Sequence, residues 1–421
     1  MNIGIIGNGA REHSLCYWIK KSKKVKKIFC FPGNAGTDDI ANNINIDPNN
    51  FKKLNDFILK NNIKILIVGP EEPLVNGVVD FFEKKGIKLF GPNKLASKLE
   101  GSKIFTKKLC KKFNIPTAKF NVCNSKKNAF NFLKKCKFPI VIKADGLAAG
   151  KGVYICKTNM DARKAINEIF DGKFGKLKKV LFEEFLQGEE MSFFIISDGK
   201  NFKKFGTAQD HKRVGVGDVG PNTGGMGAYS PSRLENKILD KKIIDKIIKP
   251  TLMGLRKQKI IFKGFLYAGL MIVKNEPYLI EYNVRMGDPE CQTILPRLQS
   301  NFFNIIQASI NGNLNKTKIK WNNRKTLSIV LCSKGYPNKY KKNKVISNLN
   351  SLKLASNQFI FHAGTKKNHS KIFSAGGRVL NFISITKSFK ESRLLSLNLI
   401  KKLNWKYGFF RKDIGYKVIN E

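Results

Sequence analysis

The chain has 421 residues, of which 42% are hydrophobic, and its 78 Lys and Arg against 31 Asp and Glu give a formal net charge of +47. This length has room for two to four domains with packed cores. We find no apolar run near the ~18–20 residues that a membrane-spanning helix needs. The first residues lack the basic stretch of a signal peptide, and the eight cysteines include no Cys-x-x-Cys pair. We therefore expect a reduced, cytoplasmic protein without a disulfide framework or a zinc site.

The high positive charge has two interpretations. It could mark a nucleic-acid partner or anionic substrates, or it could reflect an A+T-rich coding sequence, which yields Lys, Asn, Ile and Phe throughout. The lysines follow predicted helix faces along the whole chain and do not gather with aromatic residues into one strip. We favour compositional drift and expect no specific nucleic-acid partner.

Strands and helices alternate over the first hundred residues. Apolar strands are predicted at 2–7, 27–31, 63–68 and 87–90, and the helices between them include one that ends near residue 21 and others at 51–60 and 75–85. This alternation predicts a parallel, doubly wound sheet. Ligands bind at the carboxyl edge of such sheets, which is where Glu71 and Glu72 follow a strand.

The first turn, Gly7-Asn8-Gly9-Ala10-Arg11-Glu12, is similar to a dinucleotide-binding fingerprint but has Glu12 at the third glycine position. The next strand ends in Phe31-Pro32-Gly33 without a ribose-binding acid, which argues against NAD. Backbone amides at the start of the helix could still hold a phosphate.

A glycine-rich hairpin follows in the middle of the chain. A helix predicted over 95–113 is succeeded by a compact α+β segment at 117–190, in which the strand 139–143 leads into Asp145-Gly146-Leu-Ala-Ala-Gly150-Lys151-Gly152 and a second strand at 153–156. It is not a Walker A loop, because Gly152 follows Lys151. Glycines between Lys143 and Lys151 suit a mobile lid over phosphates, although an ordinary hairpin is the alternative.

Two further stretches carry polar groups. The strand at 180–186 contains Glu183 and Glu184, which could bind an adenine amino group or ribose hydroxyls, or could lie in a solvated turn. A long glycine-rich loop is predicted at 209–229, and such loops in compact domains are functional or disordered. Its Asp210, His211 and Arg213 offer a base, a donor and a phosphate clamp, although a lone histidine is more often structural.

The strand at 278–282 presents hard oxygen ligands. Because residues i and i+2 of a strand share a face, Glu281, Asn283 and Arg285 are expected to point one way and Ile280, Tyr282 and Val284 the other. A carboxylate and an amide oxygen suit Mg²⁺, and an arginine can clamp a carboxylate or a phosphate. The alternative is a half-buried strand with a polar outer face.

The remaining pattern predicts helices at 236–257 and 291–311, a strand at 264–273, and a small antiparallel α+β unit from residue 326 with a helix at 387–402. We divide the chain into an N-terminal α/β domain at 1–102, a central domain at 103–325 with a mobile lid at about 117–190, and a C-terminal α+β domain at 326–421.

Four motifs carry a family resemblance. They are Lys143-Ala-Asp-Gly-Leu-Ala-Ala-Gly-Lys-Gly152, Asp210-His-Lys-Arg213, Gly220-Pro-Asn-Thr-Gly-Gly-Met-Gly227 and Arg285-Met-Gly-Asp-Pro-Glu290. With them the sequence resembles, over nearly its whole length, the ATP-grasp superfamily and, within it, the phosphoribosylamine–glycine ligase family. The departures are small: Ala10 stands where glycine is common, and Cys291 follows the Asp-Pro-Glu. The resemblance implies a multidomain α/β and α+β fold with an N-terminal doubly wound parallel sheet, central ATP-grasp domains and a small C-terminal α+β domain.

The resemblance also implies a role for each candidate residue. Glu281 and Asn283 would hold Mg²⁺ or Mn²⁺ on ATP. Asp210, Arg213, Arg285 and Asp288 would hold the reacting amine and carboxylate. The implied ATP-binding residues are Lys107, Lys143, Gly146, Gly150, Lys151, Gly152, Glu183, Phe185 and Glu190, and the implied substrate-binding residues are Asn8, Gly9, Glu71, Gly224 and Gly225.

The activity implied is ATP-dependent ligation of glycine to 5-phosphoribosylamine through glycyl phosphate, in purine biosynthesis, by a monomer. One rival is an ATP-grasp ligase for another acid or amine, which should lack the 220–227 loop. The other is a nucleic-acid-binding protein, which leaves the acids at 71–72, 183–184 and 281 unexplained because they repel phosphates unless a metal intervenes.

Overall fold

The computed structural model describes residues 1–147, 152–175 and 179–419. Its N-terminal part is a five-stranded parallel sheet, which confirms the predicted doubly wound arrangement. The strands lie in the order Asn42–Asn43, Lys27–Pro32, Asn2–Gly7, Ile63–Val68 and Lys88–Phe90.

Helices cover both faces of this sheet. Ile3 and Ile5 pack in one core cluster with Leu15 of the helix Ala10–Lys20. Ile6 belongs to a second cluster with residues of the helices Phe51–Lys60, Glu71–Asn76 and Val78–Glu83. The side chains of neighbouring strand residues thus point to opposite faces of the sheet, because side-chain direction alternates along a strand.

Three predicted helices are shorter than expected. The helix at 75–85 is interrupted at Gly77, whose φ of +94° is in the left-handed region. The helix at 95–113 divides into Lys98–Gly101 and Lys103–Lys112 at the extended Ser102. The helix at 291–311 becomes Glu290–Ile294, a 3₁₀ turn at Leu295–Arg297 and the helix Phe302–Ile310. Two of these breaks coincide with Gly77 and Pro296, residue types that interrupt helices.

The segment predicted as a lid is a four-stranded antiparallel sheet with two helices, Lys126–Leu133 and Asn159–Phe170. The strands lie in the order Phe120–Cys123, Val180–Glu184, Ile140–Ala144 and Val153–Cys156. Ile142, Ile166 and Phe182 belong to its own core. This unit can therefore pack independently of its neighbours.

A nine-stranded antiparallel sheet joins the centre of the chain to its end. Eight strands follow one path, in the order Glu276–Asn283, Lys263–Val273, Glu189–Asp198, Phe202–Asp210, Gly227–Ser230, Lys325–Ser333, Arg378–Thr386 and Gln358–His362, and Gly408–Phe409 pairs with Lys325–Ser333. The pairing of Gly227–Ser230 with Lys325–Ser333 carries the sheet across the predicted boundary at 325. The C-terminal unit thus continues the central sheet.

The predicted loop at 209–229 is largely ordered by hydrogen bonds. Arg213–Gly215 pairs with Val219–Asn222 as a two-stranded hairpin, and Gly227–Ser230 enters the large sheet. The expectation of a long loop was wrong, because its glycines obscure the short strands between them. The other elements are Lys237–Ile243, a π-helical turn at Ile244–Ile248, Lys249–Lys257, 3₁₀ turns at Leu314–Lys316 and Tyr416–Val418, the pair Thr365–Asn368 and Lys371–Ser374, and the helix Phe389–Leu403.

Among the helices in the described parts of the chain, none is long and apolar enough to cross a membrane.

Candidate active site

A cavity of about 770 Å³ opens where the parallel sheet, the four-stranded unit and the edge of the nine-stranded sheet meet. Most of the predicted site residues line it, although they come from segments far apart in the sequence. They are Glu71, Lys107, Lys143, Gly146, Gly152, Glu183, Phe185, Glu190, Asp210, Arg213, Gly224, Glu281, Asn283, Arg285 and Asp288. Gly150 and Lys151 lie outside the described residues.

The strand Glu276–Asn283 presents the two predicted metal ligands to the cavity. Glu281, Asn283 and Arg285 are half-buried while Tyr282 and Val284 are buried, which agrees with the expected alternation. The alternation fails at Ile280, because a bulge leaves this residue without a partner between the pairs Gly269–Glu281 and Leu270–Leu279. Ile280 therefore lines the cavity, contrary to the prediction, and the buried Tyr282 also contributes to its wall.

Glu281 lies among cations. Burial raises the pKa of its carboxyl group, but the charges of Lys212, Lys143 and Lys103 outweigh burial and hold that pKa below its usual value. An ionised carboxylate beside an amide oxygen fits Mg²⁺, which takes one or two protein ligands and completes its shell with water and phosphates. Within the described ranges no cluster of three or more His, Cys, Asp or Glu side chains could hold a metal by itself.

Two lysines predicted to reach phosphates share one carboxylate. Glu183 is only 5% exposed, and its Oε2 lies 3.1 Å from Lys107 Nζ and 3.0 Å from Lys143 Nζ. Burial lowers the pKa of Lys107, and the charge of Glu183 opposes that shift. Glu183 thus holds the two ammonium groups close together. The sequence analysis considered Glu183 only as an adenine ligand and did not predict these two ion pairs.

The glycine-rich hairpin is tied to the helix Lys103–Lys112. Lys103 Nζ donates to the Gly146 carbonyl at 2.9 Å. The Asp145 carboxylate accepts hydrogen bonds from Ser102 Oγ and the Ile104 amide, both at 3.1 Å. These contacts hold Asp145 and Gly146, at the start of the hairpin, against the helix that carries Lys107.

The predicted adenine and ribose contacts lie at the end of the strand Val180–Glu184. Phe185 is 38% exposed, and Glu184 accepts a hydrogen bond from the Lys119 amide at 2.8 Å. Glu190 is the second residue of the next strand, and its carboxylate accepts a hydrogen bond from Lys212 Nζ at 2.6 Å. This wall of the cavity is thus partly apolar and partly acidic.

Arg285 connects two acids across the cavity floor. Its Nε lies 3.1 Å from Glu71 Oε2, and its Nη2 lies 2.7 Å from Glu100 Oε1. The charge of Arg285 lowers the pKa of Glu71 to about 2. Burial raises the pKa of Glu100 to about 7, against the charge of Arg285 and a hydrogen bond from the Val284 amide. A substrate carboxylate or phosphate must compete with these two acids for the guanidinium.

Asp288 is held by an arginine from the C-terminal part of the chain. Arg378 Nη2 lies 3.3 Å from Asp288 Oδ2, and Arg378 Nη1 donates to the carbonyls of Asp288 and Gly224. Burial raises the pKa of Asp288, but Arg378 and Arg11 more than offset this and keep the pKa low. Asp288 is therefore ionised at neutral pH.

Asp210, like Glu100, is a cavity acid whose pKa is raised. Burial raises its pKa to about 7, nearby Glu290 and Glu190 add to the shift, and Lys212 opposes it. Glu290 is buried and accepts a hydrogen bond from Ser192 Oγ at 3.3 Å. A carboxylate with a pKa near 7 suits proton transfer at neutral pH.

Three predicted substrate residues are not part of the cavity wall. Asn8 is exposed, and its carbonyl accepts a hydrogen bond from Asn34 at 2.9 Å. The Gly9 amide, expected to face a phosphate, instead donates to Glu12 at 2.6 Å. Gly225 has a φ of +110°, and a Cβ there would lie 2.6 Å from Pro289 Cδ. Gly9 remains adjacent to the site, since a Cβ there would lie 3.2 Å from Asp288 Oδ2.

Several charged residues of the cavity were not predicted, among them Arg11, Glu100, Lys103, Lys212, Glu290 and Arg378. Arg11, Lys212 and Glu290 lie inside motifs that the sequence analysis had already singled out, so the motifs could have identified them. Lysine is too common in this chain for Lys103 to be noticed, and Glu100 and Arg378 reach the cavity only through folding.

Comparisons with known proteins agree along the whole chain. Three family models described as Phosphoribosylglycinamide synthetase match this chain. The N domain matches residues 1–100, the ATP-grasp (A) domain residues 101–291 and the C domain residues 326–417. A phosphoribosylamine–glycine ligase from Caldanaerobacter subterraneus subsp. tengcongensis is 42% identical over 419 residues, covering 99% of both chains.

Solved structures give the same result. The crystal structure of phosphoribosylamine–glycine ligase from Thermotoga maritima superposes with a TM-score of 0.86 at 32% identity, covering 99% of this chain and 100% of that one. A biotin carboxylase domain from Hydrogenobacter thermophilus, solved with MgADP, shares only the fold, with a TM-score of 0.70 at 15% identity over 95% and 89% of the two chains. The chain therefore belongs to the phosphoribosylglycinamide synthetase, or phosphoribosylamine–glycine ligase, family of ATP-grasp enzymes.

Proposed function

We propose that this protein ligates glycine to 5-phosphoribosylamine at the expense of ATP and so forms glycinamide ribonucleotide, ADP and phosphate in purine biosynthesis. The observation that carries the proposal is this cavity, in which residues from the N, ATP-grasp and C domains matched by the family models meet. The eight cysteines are all free, as in a reducing compartment, and we further propose that the protein acts in the cytoplasm as a monomer.

ATP is assigned to the side of the cavity between the small sheet and the large sheet. The ammonium groups of Lys107 and Lys143, joined by Glu183, would contact its phosphates. Gly146, Gly150, Lys151 and Gly152 would cover them. Adenine would lie along Glu183 and the backbone at Phe185, and Glu190 would bind the ribose.

Glu281 and Asn283 would hold the metal, which we take to be Mg²⁺ or Mn²⁺. When bound, the ion offsets phosphate charge and orients the transferred group. Their oxygen atoms face the cavity on one side of a strand, and Lys212, Lys143 and Lys103 keep Glu281 ionised. These are the properties that a site for a phosphate-bound divalent cation needs.

The substrates are assigned to the side nearer the parallel sheet. Asn8, Gly9 and Glu71 would bind phosphoribosylamine at the carboxyl edge of that sheet, together with Gly224 and Gly225. Of these five residues, Glu71 and Gly224 line the cavity and the others lie beside it. Arg213 and Arg285 would bind anionic groups, while Asp210 and Asp288 would hold amines.

The reaction then proceeds in two displacements. A carboxylate oxygen of glycine attacks the γ-phosphorus of ATP and expels ADP, leaving glycyl phosphate. The amine nitrogen of phosphoribosylamine attacks the carbonyl carbon, phosphate leaves with the bond electrons, and the nitrogen loses a proton. We assign this proton to Asp210, which lines the cavity and whose pKa is raised by burial. The covering hairpin would exclude water that could hydrolyse the acyl phosphate.

Product analysis tests this assignment. ATP consumption should require both glycine and freshly made phosphoribosylamine, and nucleotide chromatography should show ADP and phosphate. Alanine should replace glycine poorly, although one methyl group is worth only about 1–3 kcal/mol in a pocket. AMP and pyrophosphate would instead indicate attack on the α-phosphate and would overturn the mechanism. Full turnover with a different amine would favour the rival ATP-grasp ligase.

A further inference from the structure

A buried arginine near the end of the chain lies against the hairpin that borders the active site. Arg411 is only 1% exposed. Its Nε and Nη2 donate to the two oxygens of Asp413 at 2.9 and 2.6 Å. Its Nη1 donates to Asp218 Oδ1 at 2.6 Å and to the Arg213 carbonyl at 3.0 Å. One guanidinium thus joins two carboxylates and the backbone of an active-site residue.

Three neighbouring hydrogen bonds connect the same two segments. Asp413 Oδ2 accepts from the Gly217 amide at 2.9 Å, and the Tyr416 hydroxyl donates to Asp218 Oδ2 at 3.0 Å. The Gly415 amide donates to His211 Nε2 at 2.9 Å. We call residues 411–416 the clasp.

The hydrogen bond from the Gly415 amide gives His211 a structural role. Its Nε2 accepts a hydrogen bond from a backbone amide, so that nitrogen carries no proton. Burial lowers the pKa of the ring, against the effect of Asp218. A neutral, buried imidazole anchors the start of the hairpin to the clasp.

The hairpin lies outside the large sheet. In the described part of the chain its two strands, Arg213–Gly215 and Val219–Asn222, pair only with each other, and Val214 adds a packing contact with the C-terminal core cluster. Its apolar residues Val216 and Val219 are exposed, and an isolated two-stranded hairpin is marginally stable in water. Charge-assisted, bidentate bonds such as those of Arg411 fix geometry as well as adding stability.

We propose that the clasp is a positioning element of the active site, in which Arg411 keeps the hairpin at the angle that directs Lys212 and Arg213 to the substrates. Both residues line the cavity, whereas Arg411 acts only through the backbone and through Asp218. The expected effect on reaction rate rests on the proposed function. Its structural consequence, an ordered hairpin, is independent of the reaction.

The test compares Arg411→Ala and Arg411→Lys with the control Lys412→Met, which changes the adjacent exposed side chain. In Arg411→Ala, kcat/KM for glycine and phosphoribosylamine should fall by about 10- to 100-fold, the size expected for a small misplacement of reacting groups. The Kd for Mg-ATP should rise by a smaller factor, because Lys212 reaches the nucleotide side of the cavity only indirectly, through its hydrogen bond to Glu190. Added guanidinium should restore part of the activity, and Lys412→Met should behave as the wild type.

Hydrogen exchange gives a readout that does not depend on turnover. Amides at 213–222 should exchange faster in Arg411→Ala than in the wild type or in Lys412→Met, while those of the helix Phe389–Leu403 should not. Should Arg411→Ala fail to fold, Tyr416→Phe decides the matter. It removes one hydrogen bond from an exposed ring and should produce the same pattern with a smaller loss.

Unchanged hairpin exchange together with unchanged kcat/KM would overturn the proposal, as would equal losses in ATP binding and in substrate use. An inactive wild type would instead overturn the proposed function, and the exchange experiment would still decide on the clasp.

Discussion

At the scale of single residues, the site consists mostly of charges that neutralise each other. Arg285 pairs with Glu71 and Glu100, Glu183 with two lysines, and Asp288 with Arg378. Glu281 differs, because nearby lysines influence it through charge while no ion pair joins it to another side chain in the described residues. We therefore expect the negative charge of Glu281 to be available for binding a cation.

Replacing Glu281 by Gln keeps the shape and removes the charge. Turnover should fall by about 10²-fold or more, the size expected for losing a charge-stabilising group, and the Mg²⁺ concentration for half-maximal rate should rise. Circular dichroism should show an unchanged fold. Glu276→Gln is a matched control on the same strand, since Glu276 only forms surface ion pairs with Lys242 and Lys246. A normal rate and a normal Mg²⁺ dependence in Glu281→Gln would refute the assignment.

At the scale of elements, the four-stranded unit is a small body with its own core, beside the side of the cavity that we assign to ATP. Its link to the helix Lys103–Lys112 runs through Asp145 and the Gly146 carbonyl. We expect the hairpin at 146–152 to close over nucleotide, so its amides should exchange more slowly with Mg-ATP. Peptides from the helix Phe389–Leu403 serve as the internal control. Equal hairpin protection with and without nucleotide would count against a lid.

At the scale of the whole molecule, a net charge of +47 surrounds a cavity that contains many acids. Acidic residues inside the cavity disfavour it as a nucleic-acid groove, so any RNA contact should involve scattered surface lysines. RNA binding should then be weak, independent of sequence and steeply lost with salt. Anisotropy titrations with two unrelated RNA sequences over a salt series would measure this. A tight complex that resists moderate salt and prefers one sequence would reverse the interpretation.

Local sequence patterns determined the bounds of some elements, the face on which some site residues lie, and the family. The strand Ile63–Val68 has the predicted bounds, and the common face of Glu281, Asn283 and Arg285 follows from a period of two. The motifs at 143–152, 210–213, 220–227 and 285–290 identified the family. Such features depend on residues close together in the chain, so a sequence can display them directly.

Tertiary structure decided which of these residues meet and what they contact. Glu183 lies between Lys107 and Lys143 only because three segments converge, and the bulge at Ile280 exists only in the pairing with Lys263–Val273. Arg378 and Arg411 reach active-site segments because the large sheet and the end of the chain fold back onto the centre. Each of these contacts joins residues tens to hundreds of positions apart. Periodicity and motif spacing report only local preference, so the partner of a buried charge emerges only when the chain has folded.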